Sequence, residues 1–154
     1  MTDMGVPSSA GTLRGHAPSP IARGLGLTGT APFLACAIAL WTVPPELCMH
    51  VAGALAAYGA TIVSFLGGLH WGLAARGNGA GAQYAWGVLP SLLAWGALLL
   101  PDRPGLYVLA AGLVACYLVD RRVLRAQGLG GWMPLRALLT AIAAGSCLVG
   151  ALAV

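Results

Sequence analysis

Five long apolar runs constrain this chain more than any other feature of its sequence. A helix needs about 20 apolar residues to cross the ~30 Å hydrocarbon core of a bilayer, and each run approaches or exceeds that length. Charged residues lie almost entirely between the runs or at their ends. The sequence therefore predicts an all-α, polytopic membrane protein built as a five-transmembrane-helix bundle. The predicted helices cover about residues 25–43, 49–75, 84–100, 104–122 and 134–154.

The composition excludes a soluble monomer. Of the 154 residues, 58% are hydrophobic and only 8% are charged, whereas soluble domains carry about 25% charged residues. Residues 1–24 are instead rich in Pro, Ser, Gly and Thr without periodicity, and we predict that they form a disordered cytoplasmic tail. Residues 25–154 then form one membrane domain. The break at residues 101–104, Pro-Asp-Arg-Pro, favours a tight turn between two full helices over one re-entrant hairpin.

The arginines predict how the chain is oriented in the membrane. All eight basic residues are arginine, and with five spans and the N-terminus inside, seven of them lie in inner segments and only Arg103 in an outer one. Cytoplasmic segments of membrane proteins carry an excess of Arg and Lys. We therefore predict a bacterial inner-membrane protein with its N-terminus in the cytoplasm and its C-terminus in the periplasm. The seven inner arginines are Arg14, Arg23, Arg76, Arg121, Arg122, Arg125 and Arg136.

The remaining composition narrows the partners and the chemistry. The net charge is +4, but no arginine cluster with interleaved aromatics predicts a nucleic-acid partner. The expected partners are membrane lipid and either other membrane proteins or a second copy of the chain. No cofactor or metal is predicted, because the four cysteines form no Cys-x-x-Cys pair and His50 and His70 lie about 30 Å apart along one helix. No nucleophile–base pair or phosphate-binding loop is recognisable, so an enzyme is the less favoured class.

Small residues recur at every fourth position along the second predicted helix. Such ridges let helices in lipid approach closely, and we expect this one to face protein, either inside the bundle or at a homodimer seam. Pro90, inside the third predicted helix, is expected to kink that helix for packing or to serve as a hinge. The small-residue ridge comprises Ala56, Ala60, Ser64, Gly68 and Gly72.

Ionisable side chains at the inner ends of two predicted helices form the candidate site. Ionisable groups inside membrane spans mark functional pathways by default, and an imidazole exchanges protons near neutral pH. We expect His70 to lie close to Asp120 or to an inner arginine. The alternatives are a ligand or proton site and a structural pair that holds the helices together. The candidate residues are His70, Trp71, Tyr84, Asp120, Arg121 and Arg136.

Three segments carry a resemblance to a known family. They are YGATIVSFLGGLHWG at residues 58–72, GVLPSLLAW at residues 87–95 and LVDRR at residues 118–122. The chain resembles, over roughly residues 25–150, the uncharacterised family whose eukaryotic members are called transmembrane protein 69. The resemblance implies a multi-span protein of bacterial inner membranes with organellar relatives. It implies no reaction and supplies no catalytic residues.

Three hypotheses about function follow from these patterns. The first is a small integral membrane scaffold or accessory subunit that acts through helix–helix contacts. The second is a small-molecule or proton-linked carrier whose site lies at the cytoplasmic mouth of the bundle. The third is a membrane enzyme that acts on lipid or quinone through His70 and Asp120.

Overall fold

A computed structural model describes residues 17–76 and 81–154 of the chain. Within these ranges the protein consists of helices and short connections, without a β-strand, and the all-α prediction is confirmed. The helices are α1 (Pro20–Thr28), α2 (Ala31–Ala39), α3 (Pro45–Arg76), α4 (Gly81–Leu98), α5 (Asp102–Ala126) and α6 (Met133–Ala153), with a 3₁₀ turn at Gly130–Trp132.

The helix boundaries differ from the predicted ones in ways that local chemistry explains. Helix α1 begins at Pro20, so residues 20–24 are helical rather than part of a tail, while residues 1–16 of the predicted tail lie outside the described residues. The Oγ of Ser19 accepts a hydrogen bond of 3.2 Å from the backbone N–H of Ala22 and caps this start. Helix α3 begins at Pro45, because proline suits a first helical turn and Glu46 stabilises the positive helix end.

The first predicted helix is broken into two pieces. Helix α1 ends at Thr28 and α2 starts at Ala31. Gly29 and Thr30 keep right-handed helical dihedral angles, but the N–H of Thr30 donates to the Leu27 carbonyl three residues back, which interrupts the regular hydrogen-bond pattern. Pro32, near the start of α2, lacks the N–H that would continue an unbroken helix. The Tyr58 hydroxyl on α3 donates a 2.8 Å hydrogen bond to the Gly29 carbonyl. The break is therefore tied to a neighbouring helix by a satisfied polar contact.

Within residues 17–76 and 81–154, three segments are long and apolar enough to cross a membrane. They are Pro20–Ala39, Pro45–Ala75 and Gly130–Ala153, with mean hydropathies of 1.3, 1.5 and 1.8. Large apolar side chains such as Phe65 and Trp95 are exposed around the bundle, which suits a lipid environment and not water. The protein is thus of the membrane type, as the sequence predicts.

Helix α3 lies at the centre of the bundle. It packs against α2, α4, α5 and α6, while α5 and α6 also pack against each other. The core between these helices contains fully buried side chains from α3, α5 and α6. They include Leu55, Val63, Leu109 and Cys147. This arrangement buries one face of the second half of α3, and that face carries the candidate histidine.

Helices α3 and α4 approach each other most closely at two glycines. A Cβ atom added to Gly67 would lie 2.6 Å from the carbonyl oxygen of Gly87 and 3.1 Å from Cγ of Pro90. Pro90 is itself buried inside α4, which stays helical from Gly81 to Leu98. Pro90 therefore lies in a helix–helix contact, opposite a glycine that leaves room for its ring.

The small-residue ridge divides into two halves. Ala56 and Ala60 are buried in the core, and Ser64 is half-buried. Gly68 and Gly72 are exposed, and no atom of the described residues outside their own helix lies within 4 Å of a Cβ added to either. Gly68 and Gly72 therefore do not pack against another described helix of the bundle, and the homodimer seam stays a prediction for this half of the ridge. The close contact with α4 uses Gly67, one residue away, because α3 presents that face to its neighbour.

Candidate functional site

A histidine and an aspartate meet in the core where α3 and α5 end. His70 on α3 and Asp120 on α5 are only 1% and 0% exposed. Nε2 of His70 lies 2.8 Å from Oδ1 of Asp120. An ionised carboxylate only accepts hydrogen bonds, so it pairs with the imidazole tautomer that carries its proton on Nε2. Helices α3 and α5 run in the same direction, because α4 comes between them in the chain and runs the opposite way. Their ends therefore lie together, and both side chains are at one level.

Arg136 completes the pair from a third helix. It lies in the first turn of α6, its side chain is 14% exposed, and one terminal nitrogen donates to Oδ2 of Asp120. Asp120 therefore accepts from the imidazole with one oxygen and from the guanidinium with the other. We call His70, Asp120 and Arg136 the buried triad. It links α3, α5 and α6 through one carboxylate.

Several polar atoms around the buried triad have no hydrogen-bond partner among the described residues. Nδ1 of His70, Nε of Arg136 and Nε1 of Trp86 are all buried in this way. The Trp86 ring on α4 stands edge-on to the imidazole, with ring centroids 6.4 Å apart. A buried polar group without a partner costs about 1–3 kcal/mol. The triad therefore has unused hydrogen-bonding capacity on both its imidazole and its guanidinium.

A cavity of about 200 Å³ adjoins the buried triad at Arg136. It lies among α1, α2, α3, α5 and α6, beside the break at Gly29. Most of its lining is apolar, and Arg136 is the one charged residue among the described residues that line it. Backbone outside regular helix occurs at membrane depth where it is buried in protein or lines a cavity, and the broken first segment follows that rule.

The sequence of the chain is similar to those of known proteins. A family described as "Protein of unknown function (DUF3429)" matches residues 18–153, which include every helix and the buried triad. The chain belongs to this family. It is 39% identical over 146 residues to Transmembrane protein 69 of Xenopus tropicalis, so the resemblance predicted from the sequence is confirmed. That match covers 88% of this chain and 54% of the relative, so the chain spans about half of the relative's length. No solved structure matches the chain.

The other predicted site residues lie beside the buried triad and not within it. Trp71 and Tyr84 contact each other: Nε1 of Trp71 donates a 3.0 Å hydrogen bond to the Tyr84 carbonyl, and their rings stand perpendicular with centroids 5.5 Å apart. Trp71 is half exposed. Arg121, the neighbour of Asp120 on α5, is exposed. The structure therefore brings together three of the six candidates, and Arg136 is the arginine that reaches the carboxylate.

Sequence reasoning missed residues that help to shape the site. Trp86 lies edge-on to His70, and Tyr58 holds the broken helix at Gly29. The break had a local signal, because a glycine followed within three residues by proline is typical of one helix ending and another beginning. Trp86 had no such signal, since a tryptophan near a helix end is equally typical of the membrane interface.

Proposed function

We propose that this protein is a proton-linked small-molecule carrier that crosses a bacterial inner membrane five times. Its N-terminus lies in the cytoplasm, its C-terminus lies in the periplasm, and the buried triad is its site at the cytoplasmic end of the bundle. One observation carries the proposal: a buried imidazole–carboxylate pair inside a membrane-type bundle retains a ring nitrogen that has no hydrogen-bond partner in the described part of the chain.

The five-span arrangement is supported by helix length and packing. Helices α1 and α2 together, α3 and α6 provide the three apolar segments. Helices α4 and α5 have 18 and 25 residues, and a span requires about 17–25. The charged residues of α5 lie near its two ends, where long side chains extend to the headgroup region. Both helices pack against α3 and against each other, as members of one bundle would.

The orientation is supported by the same positive charges that the sequence displays. Arg121, Arg122 and Arg125 lie in the last two turns of α5, at the end of the bundle that holds the buried triad. Arg103 lies at the opposite end of α5. Because cytoplasmic ends carry the excess of arginine, the triad belongs at the cytoplasmic side.

A purely structural ion pair accounts less well for the imidazole. A pair that served only to hold α3 against α5 would be most stable with every buried polar atom satisfied. Nδ1 of His70 is buried without a partner among the described residues. It accepts a proton when the imidazole becomes charged, and Asp120 is placed to stabilise that charge. The arrangement is that of a site which changes its protonation state while the helices remain packed.

Uptake by reconstituted vesicles tests this proposal without knowledge of the substrate. Vesicles that contain the purified protein, and empty vesicles, are incubated with a bacterial small-molecule extract under an imposed pH gradient. Mass spectrometry of the vesicle contents then identifies accumulated compounds. We expect at least one compound to accumulate through the protein, and its accumulation should cease when a protonophore collapses the gradient.

The matched variants separate the buried triad from general effects. His70→Gln and Asp120→Asn retain side chains of similar shape and should abolish the gradient-dependent accumulation. His50→Ala changes an exposed histidine at the other end of α3 and should leave it intact. Identical contents in protein-containing and empty vesicles would overturn the carrier function. Full accumulation in both triad variants would overturn the assignment of its site to the buried triad.

A scaffold or accessory subunit is the second candidate, and one observation favours it. Gly68 and Gly72 leave an exposed, open strip on α3, and small residues of this kind admit another helix in lipid. Gly68→Leu should then abolish co-purification of a partner or a second copy in mild detergent. Ala111→Leu, a small-to-leucine change at an exposed position of another helix, α5, is the control. Unchanged oligomeric state and co-purified proteins in Gly68→Leu would argue against this function.

A further inference from the structure

The cavity beside the buried triad has one polar end and an apolar body. Arg136 is its one charged lining residue, and Nε of that guanidinium is buried without a partner among the described residues. Thr140 lies one turn further along α6 and also lines the cavity. The remainder is mostly apolar, with Phe33 and Leu113 fully buried in its wall. A molecule that fits this space has one anionic or strongly accepting group and a compact apolar body.

The size of the cavity limits that body. An apolar cavity of about 150 Å³ is sufficient to hold benzene, and this one measures about 200 Å³. It therefore accommodates one ring or a short alkyl chain with a carboxylate attached, and it excludes a complete phospholipid tail.

The cavity opens towards the surface that faces lipid. Leu25 on α1 and Phe65 on α3 both line it and are 70% and 68% exposed. These side chains form an apolar entrance between the two helices. A weak acid in its neutral, protonated form dissolves in a bilayer far more readily than its anion does, so this entrance suits the protonated acid.

The charges of the buried triad determine what accompanies the ligand. Asp120 and Arg136 cancel each other when His70 is neutral. An added carboxylate would leave one uncompensated negative charge in the core, which is strongly unfavourable. A proton held by the His70–Asp120 pair restores neutrality, and Nδ1 of His70 is the open acceptor.

Among the described side chains, no other charged group near the buried triad supplies that compensation. Helix α4 contains no acidic or basic residue, and it presents the Trp86 ring to the imidazole. Cys116, one turn before Asp120 on α5, is a buried thiol. Arg23 is the one charged residue of α1 and α2, and it is exposed. The compensating proton therefore belongs to His70 and Asp120.

We infer that the cavity binds a compact weak acid, such as a monocyclic aromatic or short-chain carboxylic acid, together with one proton on the His70–Asp120 pair. The inference rests on the proposed carrier function and names its substrate class. On binding, the O–H bond of the acid breaks, its proton remains on the imidazole–carboxylate pair, and its carboxylate pairs with Arg136. The overall charge of the site does not change.

Calorimetry with benzoate tests this inference on the purified protein in mild detergent. Titrations at one pH in two buffers of different ionisation enthalpy give the number of protons taken up for each benzoate bound. We expect saturable binding with about one proton per benzoate. Benzyl alcohol, a neutral molecule of the same shape, should bind at least tenfold more weakly and without proton uptake.

Two variants assign the binding to the cavity and the proton to the buried triad. Thr140→Leu fills the cavity and should weaken benzoate binding at least tenfold, while Ala141→Leu on the exposed side of α6 should not. His70→Gln should weaken binding and remove the proton uptake. Melting temperatures of all variants verify that the bundle remains folded.

The outcomes distinguish this inference from the proposed function. Failure to bind either benzoate or hexanoate, a short-chain acid titrated in the same way, would overturn the weak-acid inference. Binding without a proton, or equal binding of benzyl alcohol, would also overturn it. Accumulation of some other compound in vesicles, dependent on His70, would then leave the carrier function standing. If vesicles show no accumulation while benzoate binds with a proton, the site is a weak-acid receptor and the carrier function fails.

Discussion

A single methyl group added at Gly67 should destabilise the bundle, whereas the same group added at its neighbour Gly68 should not. The Cβ of Gly67→Ala would lie 2.6 Å from the Gly87 carbonyl oxygen and 3.1 and 3.2 Å from atoms of the Pro90 ring. These are backbone and ring atoms, which cannot rotate away. The Cβ of Gly68→Ala meets no described atom outside its own helix within 4 Å.

The expected magnitude follows from two opposing contributions. Replacing glycine by alanine within a helix stabilises it by about 0.8–1.0 kcal/mol, and both variants gain this contribution equally. Overpacking a close contact costs about 1–3 kcal/mol, and only Gly67→Ala incurs it. The free energy of unfolding should therefore differ between the two variants by about 1–3 kcal/mol. Gly68→Ala should be as stable as the parent protein or more stable.

Unfolding by SDS in mixed micelles, followed by tryptophan fluorescence, measures this difference. Trp71 lies on the same helix, next to the α3–α4 contact, and its emission should report separation of the helices. The comparison between adjacent positions removes the helix propensity from the result. Equal free energies for the two variants, or a less stable Gly68→Ala, would refute the assignment of the α3–α4 contact to Gly67.

Three further predictions address the buried triad, the helix break and the topology. Asp120→Ala leaves buried Arg136 without its counter-charge and should lower the free energy of unfolding by about 3–5 kcal/mol. Arg121→Ala, at the exposed neighbouring position, should change the free energy of unfolding little. Equal losses in the two variants would place the ion pair elsewhere. Tyr58→Phe removes the hydrogen bond to the Gly29 carbonyl and should lower the free energy of unfolding by about 0.5–1.5 kcal/mol in the same assay. An unchanged free energy would mean that the helix break does not depend on this contact. Reporter fusions at the two ends of the chain should report opposite sides of the membrane, with the N-terminus in the cytoplasm, and two reporters on one side would exclude an odd number of spans.

The amino-acid sequence by itself determined the helical, membrane-type character of this protein. Long runs of apolar residues cannot form a soluble fold, because they supply too few polar side chains to cover its surface. The length of each run sets how far its helix extends across a membrane. The level of His70 and Asp120 along their helices also follows from counting residues at 1.5 Å each. The sequence therefore predicted that His70 and Asp120 lie at the same depth in the membrane. It did not predict which Asp120 oxygen accepts from His70, or that Arg136 binds the other oxygen.

The tertiary structure alone decided which side of each helix meets a neighbour. In a water-soluble helix the polar residues mark the outer face, but α3 is apolar on all sides, and its sequence does not distinguish Gly67 from Gly68. Successive residues point about 100° apart around a helix, so a rotation of about 100° would exchange the packed glycine for the exposed one. The orientation of α3 results from contacts with α4, α5 and α6 together. The same contacts place Arg136, and not Arg121, in the buried triad, and they leave the cavity beside it. The triad and the cavity each depend on several segments that are distant in the sequence.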